Sequence, residues 1–327
     1  MSWEHYHLLF RLESPLHIGW RKVGNLMQTR RYVSGKNLWA ALTEALVHRA
    51  GCGHDGHAYQ AVGEILKRNL RFGYLWPAHG KKNSDASWKI PTAPHFPWED
   101  AQGSEYWDYL YLNGTAHTAQ DPGTRTASEG SLHEVEYIAP YTRTDAPVYL
   151  VGDVWSRDRE QWRDGEQVRT RCAPAKGWLA YVQQNWQAAL TRLQIGGERG
   201  YGWGRIRLTE CRENAPLTWP GWSWQGQEEV VVLHPPEQEG TRLPAHALAV
   251  DFQEDFPEDQ RAVQGVQGAV EPWIGWERTP RKVRLSQVRI LYEPGSRRPH
   301  GVARLILHPW GYLYASKADA AEGSSTN

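Results

Sequence analysis

Five glycines fall within residues 196–204. They separate a helix-patterned segment, 174–193, from a strand-patterned one, 205–209. In the first, Trp178, Val182, Trp186, Ala189, Leu190 and Leu193 recur at helical spacing, and Pro174 suits a first turn. A helix stop followed by a turn needs one or two glycines. Five predict a loop whose backbone comes close to a ligand. Successive N–H groups in such turns form anion-binding nests, so Gly196, Gly197, Gly200 and Gly202 become candidate backbone donors. Arg199 and Arg205 flank them with charge suited to phosphate, and Tyr201 and Trp203 offer faces for base stacking. The loop lacks the Gly-Lys-Ser/Thr ending of a P-loop. It also follows a helix and precedes a strand, the reverse of the dinucleotide-binding order.

The chain before this loop gives its fold class. Residues 5–12 read as an aromatic and apolar strand, ended by Ser14-Pro15. A basic, glycine-punctuated loop runs from 17 to 35. Residues 36–50 then place Leu38, Ala41, Leu42, Ala45 and Leu46 on one helical face, with Gly51 as the stop. Residues 52–146, rich in Pro, Gly, Ser, His and Trp, read as a large insertion carrying one short helix near 58–69. Strands are expected at 134–138 and 148–155. This order predicts an α+β, ferredoxin-like (RRM-like) domain over 1–212, with a sheet face open to single-stranded RNA. A Pro- and Trp-rich joint at 216–224 leads to a second, β-rich region over 213–317, with strands expected at 229–233, 247–252, 283–291 and 302–307. Residues 318–327 read as a disordered tail.

Charge is balanced overall, with 37 Lys and Arg against 37 Asp and Glu, so the chain is not a uniformly basic nucleic-acid binder. It is segregated, however. Residues 14–43 hold Arg21, Lys22, Arg30, Arg31 and Lys36 and no acid, and 278–304 is basic apart from Glu293. Acid gathers at Asp251, Glu254, Asp255, Glu258 and Asp259. That pattern suits one face for a polyanion and another for a partner. Three cysteines are too few for a disulfide framework. With no apolar leader and no run near the ~20 residues of a membrane span, the expected location is the cytoplasm. His48, Cys52, His54 and His57 are able to bind zinc, but their spacing matches no common finger and a polar loop after a helix end accounts for them. Eighteen tryptophans also allow a carbohydrate-binding module, against which the basic runs and the glycine loop speak.

Two motifs resemble the RAMP superfamily of CRISPR-associated proteins. The first is Ser14-Pro15-Leu16-His17-Ile18-Gly19, followed by Gly24-Asn25, Thr29, Tyr32-Val33-Ser34-Gly35 and the helix with Leu38-Trp39-Ala40-Ala41-Leu42. Ser34 stands where the family usually has proline. The second is the glycine-rich loop itself. The resemblance implies a ferredoxin-like RAMP domain with an insertion, a second, degenerate RAMP-like domain, and crRNA binding inside a type III CRISPR effector. It implies no cofactor and no metal. The partners it implies are other RAMP subunits and the large polymerase-like subunit. RNA-binding residues expected on this basis are His17, Arg21, Lys22, Asn25, Arg30, Arg31, Lys36, Gly196, Gly197, Arg199, Gly200, Tyr201, Gly202, Trp203 and Arg205. Family members that cut target RNA carry an aspartate in the loop after the first strand. Here residues 17–35 contain no Asp or Glu. The expectation is therefore a non-catalytic, cap-type subunit that grips the 5′ tag of the crRNA. The alternatives are a backbone subunit that cleaves target RNA and a crRNA-processing endoribonuclease using His17, Tyr32 and Lys36.

Overall fold

The computed structural model describes residues 2–85, 87–165, 168–238, 240–252, 260–274, 276–278, 283–285, 288–298 and 304–316. The expected acidic cluster at 254–259 and the tail at 318–327 lie outside them.

The first half is organised by β1 (Trp3–Leu12), which runs through the middle of a sheet. Helices α1 (Gly35–Arg49) and α2 (Gly56–Asn69) follow, then β2 (Leu70–Phe72) and β3 (Trp76–His79). Next come α3 (Ser104–Tyr111), β4 (Val148–Arg157), α4 (Trp178–Ala189), β5 (Arg192–Gln194) and β6 (Arg205–Glu213). The sheet order is β5-β6-β1-β4-β2, with β3 also pairing β4, and all neighbours are antiparallel. The path β1-helix-β2-β4-helix-β6 in this order is a pair of split βαβ units, in which each crossover leaves one strand between its ends.

Local sequence accounts for the main elements. Ser34 caps α1, accepting from the Asn37 N–H, and Gly51 at φ +73° follows its end. Leu38, Ala41, Leu42 and Leu46 are buried under β1, where Tyr6, Leu8, Phe10 and Leu12 face the helices. The other face of β1 carries Trp3, His5, His7 and Leu9.

That second face is not open. The C-terminal half covers it with a seven-stranded sheet in the order Ser223–Gly226, Val231–His234, Leu305–Leu307, Leu313–Tyr314, Ala247–Leu248, Arg289–Tyr292, Val270–Trp273. Trp3, Trp76 and Trp155 from the first sheet share a core with Leu233, Leu305 and Tyr314 from the second and with Trp219 and Trp222 from the segment that leads into it. The expected open sheet face for RNA is therefore corrected. The aromatic residues that alternate along these strands pack onto the second sheet, so all ten residues of β4 are buried.

Other boundaries also change. The helix expected over 174–193 stops at Ala189, and Arg192–Gln194 turns into a strand beside β6. The insertion is shorter than 52–146, because α2 packs in the main core and β2 and β3 pair β4. The strand expected over 283–291 divides: Val283–Leu285 forms a hairpin with Trp276–Arg278, and Arg289–Tyr292 joins the large sheet. The cysteines depart most from expectation. Cys52 and Cys172 form a disulfide across 120 residues, leaving Cys211 free and exposed.

Candidate nucleic-acid interface

The basic loop after β1 is a hairpin, Gly19–Val23 with Leu26–Thr29, in a four-stranded side sheet that also holds His133–Ile138 and Leu112–His117. The second motif lies against its base. The Gly197 N–H donates to the His17 carbonyl at 2.8 Å, the Gly204 N–H to that of Pro15 at 2.7 Å, and the Arg205 N–H to the Ser14 hydroxyl at 2.9 Å. Two motifs far apart in sequence thus form one clasp.

The clasp explains part of the glycine count. A Cβ on Gly196 would sit 2.3 Å from the His17 carbonyl oxygen, and one on Gly204 would sit 1.8 Å from that of Ile195, at φ +76°. Gly200 faces open space. Gly204→Ala should therefore destabilise the chain by at least about 2 kcal/mol in urea unfolding, since left-handed strain adds to a backbone clash. Gly200→Ala should stay within about 0.5 kcal/mol.

Two of the four expected backbone donors, Gly197 and Gly202, are taken up within the protein. The N–H groups of Gly197 and Gly204 bind the Pro15–His17 segment. Those of Tyr201, Gly202 and Trp203 bind carbonyls of Glu198 and Arg199 inside the loop. What the loop presents to solvent is side chain. Tyr201 is 76% exposed and stacks on His117 at 5.9 Å and 24°. His117 stacks in turn on His133 at 5.6 Å, and Trp203 meets Tyr137 edge-on at 4.9 Å. These five rings form an aromatic platform joining the loop tip to the side sheet. His117, His133 and Tyr137 were not singled out from sequence. His117 and His133 are cross-strand partners, and neither strand's sequence names the other.

The cations fall into two groups. Arg30 is turned inward, donating to both carboxylate oxygens of Glu271 and to the Tyr32 hydroxyl. Arg31 pairs with Asp108, and Arg199 with Glu44 on α1. Arg30, Arg31 and Arg199, expected as phosphate contacts, are ion-paired with carboxylates of the chain, Arg30 at a largely covered position and the other two more exposed. Arg21 lies over its neighbour Trp20 at 4.0 Å and donates to Gln28. Lys36 is half-buried beside Trp310. Lys22, Asn25 and Arg205 are exposed. Among the described residues Lys22 and Arg205 have no carboxylate partner, and Arg205 sits against Gly202. A cleft of about 400 Å³ separates the loop from α1, lined by Gly19, Asn37, Ala40, Glu44, Gln194 and Arg199.

His17 is 7% exposed. Its Nδ1 bonds the Glu136 carbonyl at 2.7 Å, and its ring lies under Gly197. Tyr32 stacks on Tyr74, and Lys36 lies beside Trp310, so the three residues considered for RNA processing occupy separate surroundings. The zinc set is likewise dispersed: Cys52 is in the disulfide, and His48 bonds the Tyr59 hydroxyl. Among the described residues no helix is long and apolar enough to cross a membrane.

No protein-family model matches the sequence, and no curated protein does. Solved chains that resemble the structure include three from electron cryomicroscopy of the type III-B Cmr-beta complex. One, bound to cognate target RNA, is 11% identical at TM-score 0.37, covering 62% of this chain and 96% of its own. Another, from the apo state, is 9% identical at TM-score 0.40, covering 64% and 97%. The third, bound to cognate target RNA and AMPPnP, is 12% identical at TM-score 0.41, covering 98% and 90%.

Proposed function

We propose that this chain is a crRNA-binding subunit of a type III CRISPR effector, one that holds guide RNA and performs no cleavage. The strand order β6-β1-β4-β2 is that of a ferredoxin-like domain, and the two motifs that resemble the RAMP superfamily are in direct contact. The observation that carries the reading is the platform of Tyr201, His117, His133, Trp203 and Tyr137, with Arg205 at its edge. The exposed Tyr201 ring gives sequence-tolerant stacking for an unpaired base, with the partly covered rings behind it, and an exposed guanidinium neutralises phosphate. The covered sheet face moves RNA from the sheet to this loop and side sheet. The placement of His17 favours holding over cutting, because its Nδ1 is tied to a backbone carbonyl and its ring is packed beneath the loop. In this reading the chain caps the crRNA at its 5′ tag and meets the large subunit there.

The test is single-stranded RNA binding by the purified full chain. Tyr201→Ala should weaken binding by about 1–3 kcal/mol, roughly 5- to 150-fold, while stability stays within about 0.5 kcal/mol because the ring is exposed. Arg205→Glu should weaken it further and flatten the salt dependence. Affinities equal to wild type in both variants would overturn the assignment.

A further inference from the structure

The core shared with the second sheet takes in Trp3, at one end of β1, with Trp76 and Trp155. Towards the other end of β1 the outer face holds a separate, smaller cluster of Leu9, Ala78, Tyr149 and Val151. Strand register there sets arginines side by side. Arg11 on β1 is opposite Arg207 on β6, and Arg207 is opposite Arg192 on β5. Tyr149 on β4 continues the row beyond Arg11. The neighbouring Leu12, Ile206 and Leu193 pack in the helix-side core, so the three arginine side chains leave from the outer face. Arg205, two residues before Arg207, leaves from the same face.

Like charges directly opposite each other on paired strands are destabilising. Residues 9–13, 147–151, 192–194 and 205–209 hold four arginines and a single acid, Glu13, which pairs with Arg207. Arg11 donates to the carbonyls of Pro140 and Val148 at 2.8 and 2.7 Å and lies over the rings of Tyr141 and Tyr149, at 4.7 and 5.5 Å. Those contacts fix its position and leave its charge uncancelled. Arg192 and Arg205 are exposed, and among the described residues neither has a carboxylate partner. An exposed ring stands at each end of the row. Tyr201 adjoins the Gly202 that Arg205 touches, and Tyr141, 55% exposed, lies beside Arg11. An acidic protein segment would use the charges alone. Guanidinium groups bracketed by rings suit unpaired nucleotides, whose phosphates take the cations and whose bases take the rings.

We propose that Arg205, Arg207, Arg192 and Arg11 form a track for the sugar–phosphate backbone of single-stranded RNA. It runs from the Tyr201 platform across the outer face of β5, β6 and β1 to a second stacking ring, Tyr141. The track rests on the RNA-holding role proposed above, and it adds to that role a path for the strand and a second base contact.

The experiment titrates the full chain with oligouridylate at several salt concentrations. Each arginine that neutralises a phosphate of a single strand contributes about 0.7 to the slope of log affinity against log salt. Arg192→Gln should make that slope shallower by about 0.7, and Arg192→Gln/Arg207→Gln by about 1.4. Tyr141→Ala should weaken binding roughly 5- to 150-fold. Arg192→Gln breaks no ion pair, so it carries the test if the double variant fails to fold. Unchanged slopes in both arginine variants, with Tyr201→Ala still weakening binding, would mean that RNA stops at the platform: the track falls and the RNA-holding role stands. Unchanged slopes with Tyr201→Ala also without effect would overturn both. Shallower slopes with Tyr201→Ala without effect would keep the track and remove the platform. Two other uses of the arginines are read in the same samples. Self-association of the double variant with an unchanged slope would make them guards of a sheet edge. Polyglutamate that binds wild type but not the double variant, again with an unchanged RNA slope, would assign the row to an acidic protein. Either result overturns the track.

Discussion

Glu271→Ala is expected to lower the stability of the chain by about 3–5 kcal/mol, the loss typical when one partner of a buried ion pair is removed. Glu271 is 8% exposed and lies on the Val270–Trp273 strand of the C-terminal half. It accepts from Arg30 through both oxygens, from the fully buried His246, and from the Trp20 indole at 3.1 Å. Arg30 and Trp20 belong to the first half, and Tyr74 bonds the other nitrogen of His246. One carboxylate therefore satisfies three donor side chains, two of them across the seam, and its removal leaves a guanidinium unpaired at a mostly buried position. Burial alone would raise the Glu271 carboxyl. Bonds from His246 and Arg30 outweigh it and hold the group at about 2. Burial pushes His246 down to about 4 against the raising pull of Glu271.

Both shifts have the same sign for stability. The unfolded chain takes up a proton on His246 below about 6.5 and on Glu271 below about 4.5, whereas the folded chain resists until about 4 and about 2. Stability contributed by the pair is full above pH 6.5 and declines as pH falls through these windows. Urea unfolding at pH 7 measures the cost of Glu271→Ala, and melting from pH 7 to pH 4 measures the slope. A loss under about 1 kcal/mol at pH 7, or a wild type that gains stability on acidification, would refute the network's role.

The first half was legible where one helical or strand period dominates. The buried stripe Leu38, Ala41, Leu42 and Leu46 marked α1, and the apolar run at the start of β4 marked a strand, though not its place in the middle of the sheet. The split βαβ order followed from those elements and the glycine loop. What could not be read is what long-range pairing decides. Leu70–Phe72 is a three-residue strand whose burial comes from β4, so its segment read as loop. Arg30 in a basic run reads as a phosphate contact until Glu271, 241 residues away, is placed beside it. Glycine carries the same ambiguity: Gly196 and Gly204 answer to carbonyls of the clasp, while Gly200 faces solvent. The stacking residues Tyr201 and Trp203 were recognisable because rings among glycines have few local partners. His117, His133 and Tyr137 join them only through strand register.

Removing the Cys52–Cys172 link should cost about 2–5 kcal/mol. The bond closes 120 residues, and loop-closure entropy for a ring of that length corresponds to about 4–5 kcal/mol before any native-state strain. The local fold brings the two together. Cys52 follows α1, whose end leads to Asp55 at the cap of α2. The Asp55 carboxylate accepts the N–H groups of Arg171 and Cys172 at 2.6 and 3.1 Å, besides that of His57 in its own helix. Asp55 therefore holds the 171–172 segment against the start of α2 whether or not the sulfurs are joined, at a Cα separation of 5.6 Å. Denatured, unreduced protein should titrate one thiol, Cys211, and three after reduction. Cys52→Ala should lower the urea midpoint by an amount that matches reduction of the wild type. If three thiols titrate before reduction, the link is absent from the isolated protein. The Asp55 clasp then carries the contact alone, and Asp55→Ala becomes the variant with the larger loss.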